Sequence, residues 1–261
     1  MNNYIISIGD VHQKISKLKT ILALEEVQNA KEVIFLGDYF DSYDDVHQMK
    51  DTVAFLNDNV ANPLYKFLMG NHDIHYLSTN KAYRCSGYSS TNHEYIKTNL
   101  SKEFRDKIKL FELKKIAGES VLFSHAGFHP SHFTVSTDAT SHDSLVSFFD
   151  SLDIDINLNH PLLHAGQDRG GRQYDGGLLW IDWYSLELIE GLSQVVGHTQ
   201  HIAPQVMSYA EMTTSCNINI DTNLDHYLKI HLETNDWKVV GSLRDSRNRI
   251  LRISGVEYRG L

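Results

Sequence analysis

Residues 32–42 read EVIFLGDYFDS. Glu32 to Leu36 form a short apolar run with β-branched members, the pattern of a buried strand. Directly after it come a glycine, Gly37, and two carboxylates, Asp38 and Asp41. The same grammar recurs along the chain. The apolar run Tyr4 to Ile8 leads into Gly9, Asp10 and His12, and YKFLM at 65–69 leads into Gly70, Asn71, His72 and Asp73. SVLFS at 120–124 leads into His125, and the short run 194–196 into Gly197 and His198. Five expected strands thus end in polar, metal-competent residues.

Between the first three strands lie two stretches with apolar residues at helical spacing, 14–27 and 46–60. Strand, helix, strand, helix, strand predicts a parallel sheet with right-handed crossovers. A polar loop is expected at 78–93, helices near 92–100 and 101–112, and irregular chain over 130–175 with one helix near 142–151. The last fifty or so residues read as β, with strands at 218–220, 227–232, 237–243 and 250–256. No Pro/Ser/Gly-rich linker divides the chain, so one domain over 1–261 is expected.

In an open α/β sheet, ligands bind beyond the carboxyl ends of the strands. Parallel neighbours bring those ends to one edge, where the five motifs can meet. Carboxylates, imidazoles and an amide oxygen, with no thiolate, suit hard-to-borderline divalent ions. Six candidate ligands exceed the need of one ion and fit a pair bridged by a shared carboxylate.

Composition narrows the function. A net charge of −9 argues against a generic nucleic-acid binder, whose footprint is basic. Two distant cysteines, Cys85 and Cys216, make no disulfide framework. There is neither a signal-peptide pattern nor an apolar run long enough to span a membrane, so a cytoplasmic protein is expected. Fifteen histidines in an acidic chain point to metal chemistry.

The ordered set Asp-x-His, Gly-Asp-x-x-Asp, Gly-Asn-His-Asp, His-x-Gly and Gly-His, spanning residues 9–198, resembles the calcineurin-like metallophosphoesterase superfamily. GGLLWIDW at 176–183 and NINIDT at 217–222 resemble its branch of phosphoprotein phosphatases and diadenosine tetraphosphate hydrolases. The resemblance implies an α/β fold, a two-sheet αββα sandwich with a dimetal site at the carboxyl ends of the strands. It implies that Asp10 and His12 bind one metal, that Asp38 bridges, and that Asn71, His125 and His198 bind the other. It makes His72, backed by Asp41, the general acid. Manganese is the expected ion, with iron, zinc, nickel or cobalt as alternatives. The implied activity is hydrolysis of a phosphate monoester on a phosphorylated protein, nucleotide or small molecule. The alternatives are a nucleotide-directed hydrolase and a binding module that has lost catalysis; the ligands and histidine retained here argue against the latter.

Three positions depart from the pattern. Ser42 stands where the branch carries a phosphate-clamping arginine, Gln13 replaces a glycine, and Asp73 replaces the commoner glutamate. Arg169 and Arg172, in DRGGR at 168–172, are candidate substrate clamps, because the guanidinium fork matches phosphate. Arg84, in a lid-like stretch at 83–95, is the next candidate. Gln200 occupies the second histidine position of the nuclease pattern, and His201, one residue late, is not expected to bind metal. His75, His129, His132, His160 and His164 read as loop or surface histidines, and Trp180, Trp183 and Trp237 as core.

Overall fold

On the first strand Ile5 faces one way and Ile6 and Ile8 the other, and all three are buried. Burial on both faces needs a layer on each side. The computed structural model, which describes residues 3–43, 47–133, 141–208, 215–241 and 249–252, supplies both.

The first half runs β1 (Tyr4–Ile8), α1 (Ile15–Leu22), α2 (Glu25–Gln28), β2 (Glu32–Phe35), α3 (Met49–Asn59), β3 (Tyr65–Phe67) and α4 (Asn71–Leu77). It continues with α5 (Ser90–Asn99), α6 (Lys102–Lys107), β4 (Phe111–Ile116), β5 (Glu119–Ser124) and α7 (His142–Asp150). Short 3-10 turns lead to β6 (Leu192–Val196), β7 (Gln205–Met207), β8 (Asn217–Asn219), β9 (His226–His231), β10 (Asp236–Gly241) and β11 (Arg249–Arg252).

Two mixed sheets result. Six strands are ordered β11-β10-β9-β1-β2-β3, and five β4-β5-β6-β8-β7. The central strands are parallel in each: β1 with β2 and β2 with β3, then β5 with β6 and β6 with β8. Ile5, Ile34, Leu228 and Trp237 of one sheet pack against Val121, Phe123, Val195 and Ile218 of the other. Ile6, Ile8 and Phe35 face outward, onto Leu18, Leu56, Ile96 and Phe104 of the helices. On the far side Leu122 and Leu192 are covered by Leu145 and Phe149 of α7. This is the expected αββα sandwich.

Several elements differ from the sequence reading. The helix expected over 14–27 breaks at Leu24, whose ψ is 133°. The helix expected over 101–112 ends at Lys107, because Ile108 is extended and the chain turns into β4. β4 pairs antiparallel with β5 across Ala117–Gly118, both at positive φ, a two-residue hairpin turn. As a half-buried edge strand, β4 carries a weak hydrophobic signal. Edge strand β7 was likewise not expected, nor was α4, which begins on the Asn71 motif itself. Trp183 and Trp237 are buried, whereas Trp180 is half-buried against the His198 ring. Val46, positions 134–140 of the irregular stretch, 242–243 and 253–256 lie outside the described residues.

Candidate metal centre

Each parallel strand delivers its motif to the same edge. Asp10 follows β1, Asp38 follows β2, Asn71 opens α4 after β3, His125 follows β5 and His198 follows β6. Backbone bonds tie these turns together: His12 N–H donates to the Asp38 carbonyl at 2.7 Å, and Gly197 N–H to the His125 carbonyl at 2.8 Å. Asp73 adds a lock, its buried carboxylate accepting the amides of Gly70, Asp38 and Tyr39, each at 2.8 Å. The turns are strained. His12, Asp38, Asp41 and His198 all have positive φ, between 43° and 69°, a conformation costing a non-glycine residue on the order of 1 kcal/mol or more.

Two sets of ligand atoms form, and Asp38 belongs to both: Asp10, His12 and Asp38, then Asp38, His125 and His198. His12 Nε2 lies 3.9 Å from Asp10 Oδ2 and 3.7 Å from Asp38 Oδ2. Asn71 joins the second set, its Oδ1 lying 2.8 Å from His125 Nε2 and 3.0 Å from His198 Nδ1.

The chemistry of this set fits a cation. His125 Nδ1 donates its hydrogen to the Leu36 carbonyl at 2.9 Å. Burial holds the ring neutral, with its pKa lowered to about 3. Nε2 therefore presents a lone pair, and it faces Asn71 Oδ1 and, at 3.4 Å, Asp38 Oδ2. Acceptor atoms from Asp38, Asn71 and His125 thus crowd together. The buried His198 Nε2 and His12 Nδ1 have no hydrogen-bond partner. Burial, then the charge of Asp221, raises the Asp10 pKa well above its ordinary value; burial, then Asp10, does the same to Asp38. Divalent positive charge relieves all of this.

Beside the set stands His72. Its Nδ1 lies 2.8 Å from Asp41 Oδ2, and its Nε2 is hydrogen-bonded to the Tyr43 hydroxyl. Asp41 also accepts the Tyr76 hydroxyl at 2.5 Å, and His75 Nε2 lies 2.9 Å from its Oδ2. Burial pushes the Asp41 pKa up, but these hydrogen bonds outweigh it and leave the pKa below its ordinary value. Asp41 is thus a fixed anion behind the His72 ring.

Residues 4–201 match the sequence profile of the calcineurin-like phosphoesterase family. The chain belongs to that family. Among solved structures, a cold-active protein-tyrosine phosphatase of a psychrophilic Shewanella species is similar at TM-score 0.55 and 16% identity, covering 97% of this chain and 81% of that one. A Saccharomyces cerevisiae protein serine/threonine phosphatase with similarity to human phosphatase PP5 is similar at TM-score 0.51 and 14% identity, covering 99% and 82%. At these identities the likeness is one of fold. No curated protein matches the chain in sequence. The family implies a dinuclear divalent metal centre, and the clustered ligands supply a place for it.

The two candidate arginines part company. Arg169 is half-buried, pairs with Asp182 at 2.8 Å and donates to Thr199 Oγ1 at 2.7 Å. Its charge reaches the centre, lowering the pKa values of His125 and His198 behind the larger effect of burial. Arg172 is exposed. Arg84 is also exposed, with its guanidinium 4.1 Å from the Tyr88 ring centroid. The stretch around it is no detached lid, for Tyr76 bonds Ser89 N–H and Gly87 packs on Asp41.

Four residues escaped the sequence reading. His75 is buried, not a surface residue, because it sits one helical turn from His72 on α4. His129 is buried too, 3.3 Å from Asp175. Asp221 follows β8 and lies beside Asp10; its strand-then-acid pattern in NINID was the available signal. Tyr43 gave no signal, since its role depends only on where the turn after Asp41 places it. His201 packs edge-on against Tyr184, outside both ligand sets.

Proposed function

We propose that the chain is a dimetal-dependent phosphatase acting on phosphate monoesters. The observation carrying this reading is His72, held by Asp41 at 2.8 Å beside the ligand set, with its other nitrogen meeting the hydroxyl of the exposed Tyr43 side chain. Asp10, His12 and Asp38 would hold one ion, and Asp38, Asn71, His125 and His198 the other. Manganese suits these oxygen and imidazole donors. Two such ions supply an activated water at neutral pH and positive charge for the phosphoryl oxygens.

The chain's own residues do the rest. His72 delivers a proton from Nε2 to the departing ester oxygen, while Nδ1–H stays on Asp41 and fixes the ring. Tyr43 occupies that nitrogen in the free protein, so substrate displaces its hydroxyl. Arg169 takes one side of the phosphate in place of the arginine missing at Ser42. The whole of 1–261 works as one unit. Two free cysteines suit the reducing cytoplasm.

The test is Mn²⁺-dependent hydrolysis of three esters: p-nitrophenyl phosphate, an alkyl phosphate and bis(p-nitrophenyl) phosphate. Monoesters should turn over faster. A preference for the diester, or no metal-dependent turnover, rejects the reading.

A further inference from the structure

Cys85, His75 and His72 bring a thiol and two imidazoles together beside the metal centre. Cys85 Sγ lies 3.2 Å from His75 Nδ1 and 3.9 Å from His72 Nδ1. With Zn–S near 2.3 Å and Zn–N near 2.1 Å, a tetrahedral ion sets sulfur and nitrogen about 3.5 Å apart. The two observed separations bracket that value. A fourth donor is at hand, because Asp41 Oδ2 is 2.8 Å from His72 Nδ1.

The arrangement is built rather than incidental. His72 and His75 are three residues apart on α4 and so share a face. Cys85 arrives on a turn pinned against the same acid: Gly87 has φ of +93°, and a Cβ there would come within 2.8 Å of Asp41 Oδ2. His75 is buried, and Cys85 is half-buried, leaving a way in.

We propose that Cys85, His75 and His72 form a separate soft-metal site that captures Zn²⁺ or Cd²⁺ and, when filled, withdraws His72 from proton transfer. Donor type separates it from its neighbour. The Asp/Asn/His set has no sulfur and suits manganese, whereas a thiolate with two imidazoles selects zinc-like ions. The thiol gives up its proton to solvent on binding, and His72 gives up a second if it is charged. If the ring is neutral its single proton moves from Nδ1 to Nε2 through solvent; Nδ1 then exchanges Asp41 for the ion, and the Nε2–H belongs to a metal-bound neutral ring, a poor acid. Binding at the site stands independently of the proposed function; the inhibition rests on His72 being the proton donor.

The experiment uses the Mn²⁺-loaded protein titrated with Cd²⁺. Sulfur-to-cadmium charge-transfer absorption reports binding, and hydrolysis of an alkyl phosphate and of p-nitrophenyl phosphate reports its effect. The parent should show the band, with inhibition deeper for the alkyl ester, whose leaving group needs the proton. Even a residue that only orients a metal ligand is worth 10–100-fold in affinity, so Cys85→Ser should weaken cadmium binding by at least about 100-fold and relieve inhibition to match. Cys216, buried elsewhere, stays as the internal control. No band in the parent, or a band unchanged in Cys85→Ser and in His75→Ala, overturns the site. A Cys85-dependent band with inhibition untouched by Cys85→Ser overturns the link to His72. A parent with the band but no Mn²⁺-dependent hydrolysis upholds the site and rejects the phosphatase reading instead.

Discussion

A methyl group on Gly70 would lie 2.0 Å from Asp38 Oδ1 and 2.5 Å from the Asp38 amide. Two motifs 30-odd residues apart in sequence are therefore in backbone contact, and the Asp38 carboxylate shared by both ligand sets sits where only a glycine lets it sit. Gly70→Ala should displace Asp38. A misplacement of about 1 Å at a catalytic group costs on the order of 100-fold in rate, and that loss should come with reduced metal content. Gly118→Ala is the control: Gly118, unlike Gly70, has a positive φ, and it has nothing within 4 Å of a built Cβ. It should cost stability without changing metal content, as read by metal analysis of the purified variants.

Asp38 belongs to both ligand sets. Asp38→Asn should abolish turnover and lower bound metal below that of an Asp10→Asn variant, which disturbs one set alone. Full occupancy with undiminished turnover removes the bridging role.

His72→Ala separates binding from proton transfer. Metal content should stay near that of the parent while the rate falls about 10²–10⁴-fold, the usual worth of a general acid. The fall should be smaller for p-nitrophenyl phosphate than for an alkyl phosphate. Equal losses on the two esters would count against the role.

Arg169 and Arg172 now carry different expectations. Arg169 pairs with Asp182 and Thr199 beside His198, whereas Arg172 is exposed. Arg169→Ala should lower kcat/KM at least about tenfold, or roughly 1.4 kcal/mol, with only partial rescue by lysine. Arg172→Ala should match the parent. The reverse order in steady-state kinetics would move the clamp to Arg172.

Metal removal should depend on pH in a fixed direction. In the metal-free protein the pKa values of Asp10 and Asp38 are raised, so the folded state holds protons there that the unfolded state has lost. That contribution favours folding at low pH and fades as pH rises. The His12 and His125 pKa values are lowered to about 3, so these rings remain neutral and compete little with metal near neutrality. Metal must displace the carboxylate protons, so its stabilisation grows with pH. Chelation should therefore lower Tm by more at about pH 8 than at about pH 5.5, as thermal melts with and without chelator would show. A difference that shrinks with pH would contradict the carboxylate assignment.

What the sequence made legible follows from what local pattern encodes. A buried strand ending in an acid or a histidine is a local signal, and it placed Asp10, Asp38, Asn71, His125 and His198 at one edge before any coordinate. The two-sheet sandwich came from the family resemblance together with the parallel runs. The misses are matters of packing. β4 and β7 are edge strands with mixed exposure, so their alternation is faint. His75 and Cys85 look like loop residues until α4 and the turn after it fold back on Asp41. Asp221 obeys the same strand-end grammar, but the resemblance alone drew attention to its segment.

The second ligand set draws Asp38 and Asn71 from one sheet and His125 and His198 from the other. That division sets an order on biosynthesis. A nascent chain that has emerged only through β3 can already gather Asp10, His12 and Asp38, but it has no imidazole from the second sheet. The second ligand set is incomplete until His198 has emerged and β6 pairs alongside β5. An ion held there would tie the two sheets across their seam, adding to the apolar packing of Ile34 and Leu228 against Phe123 and Val195.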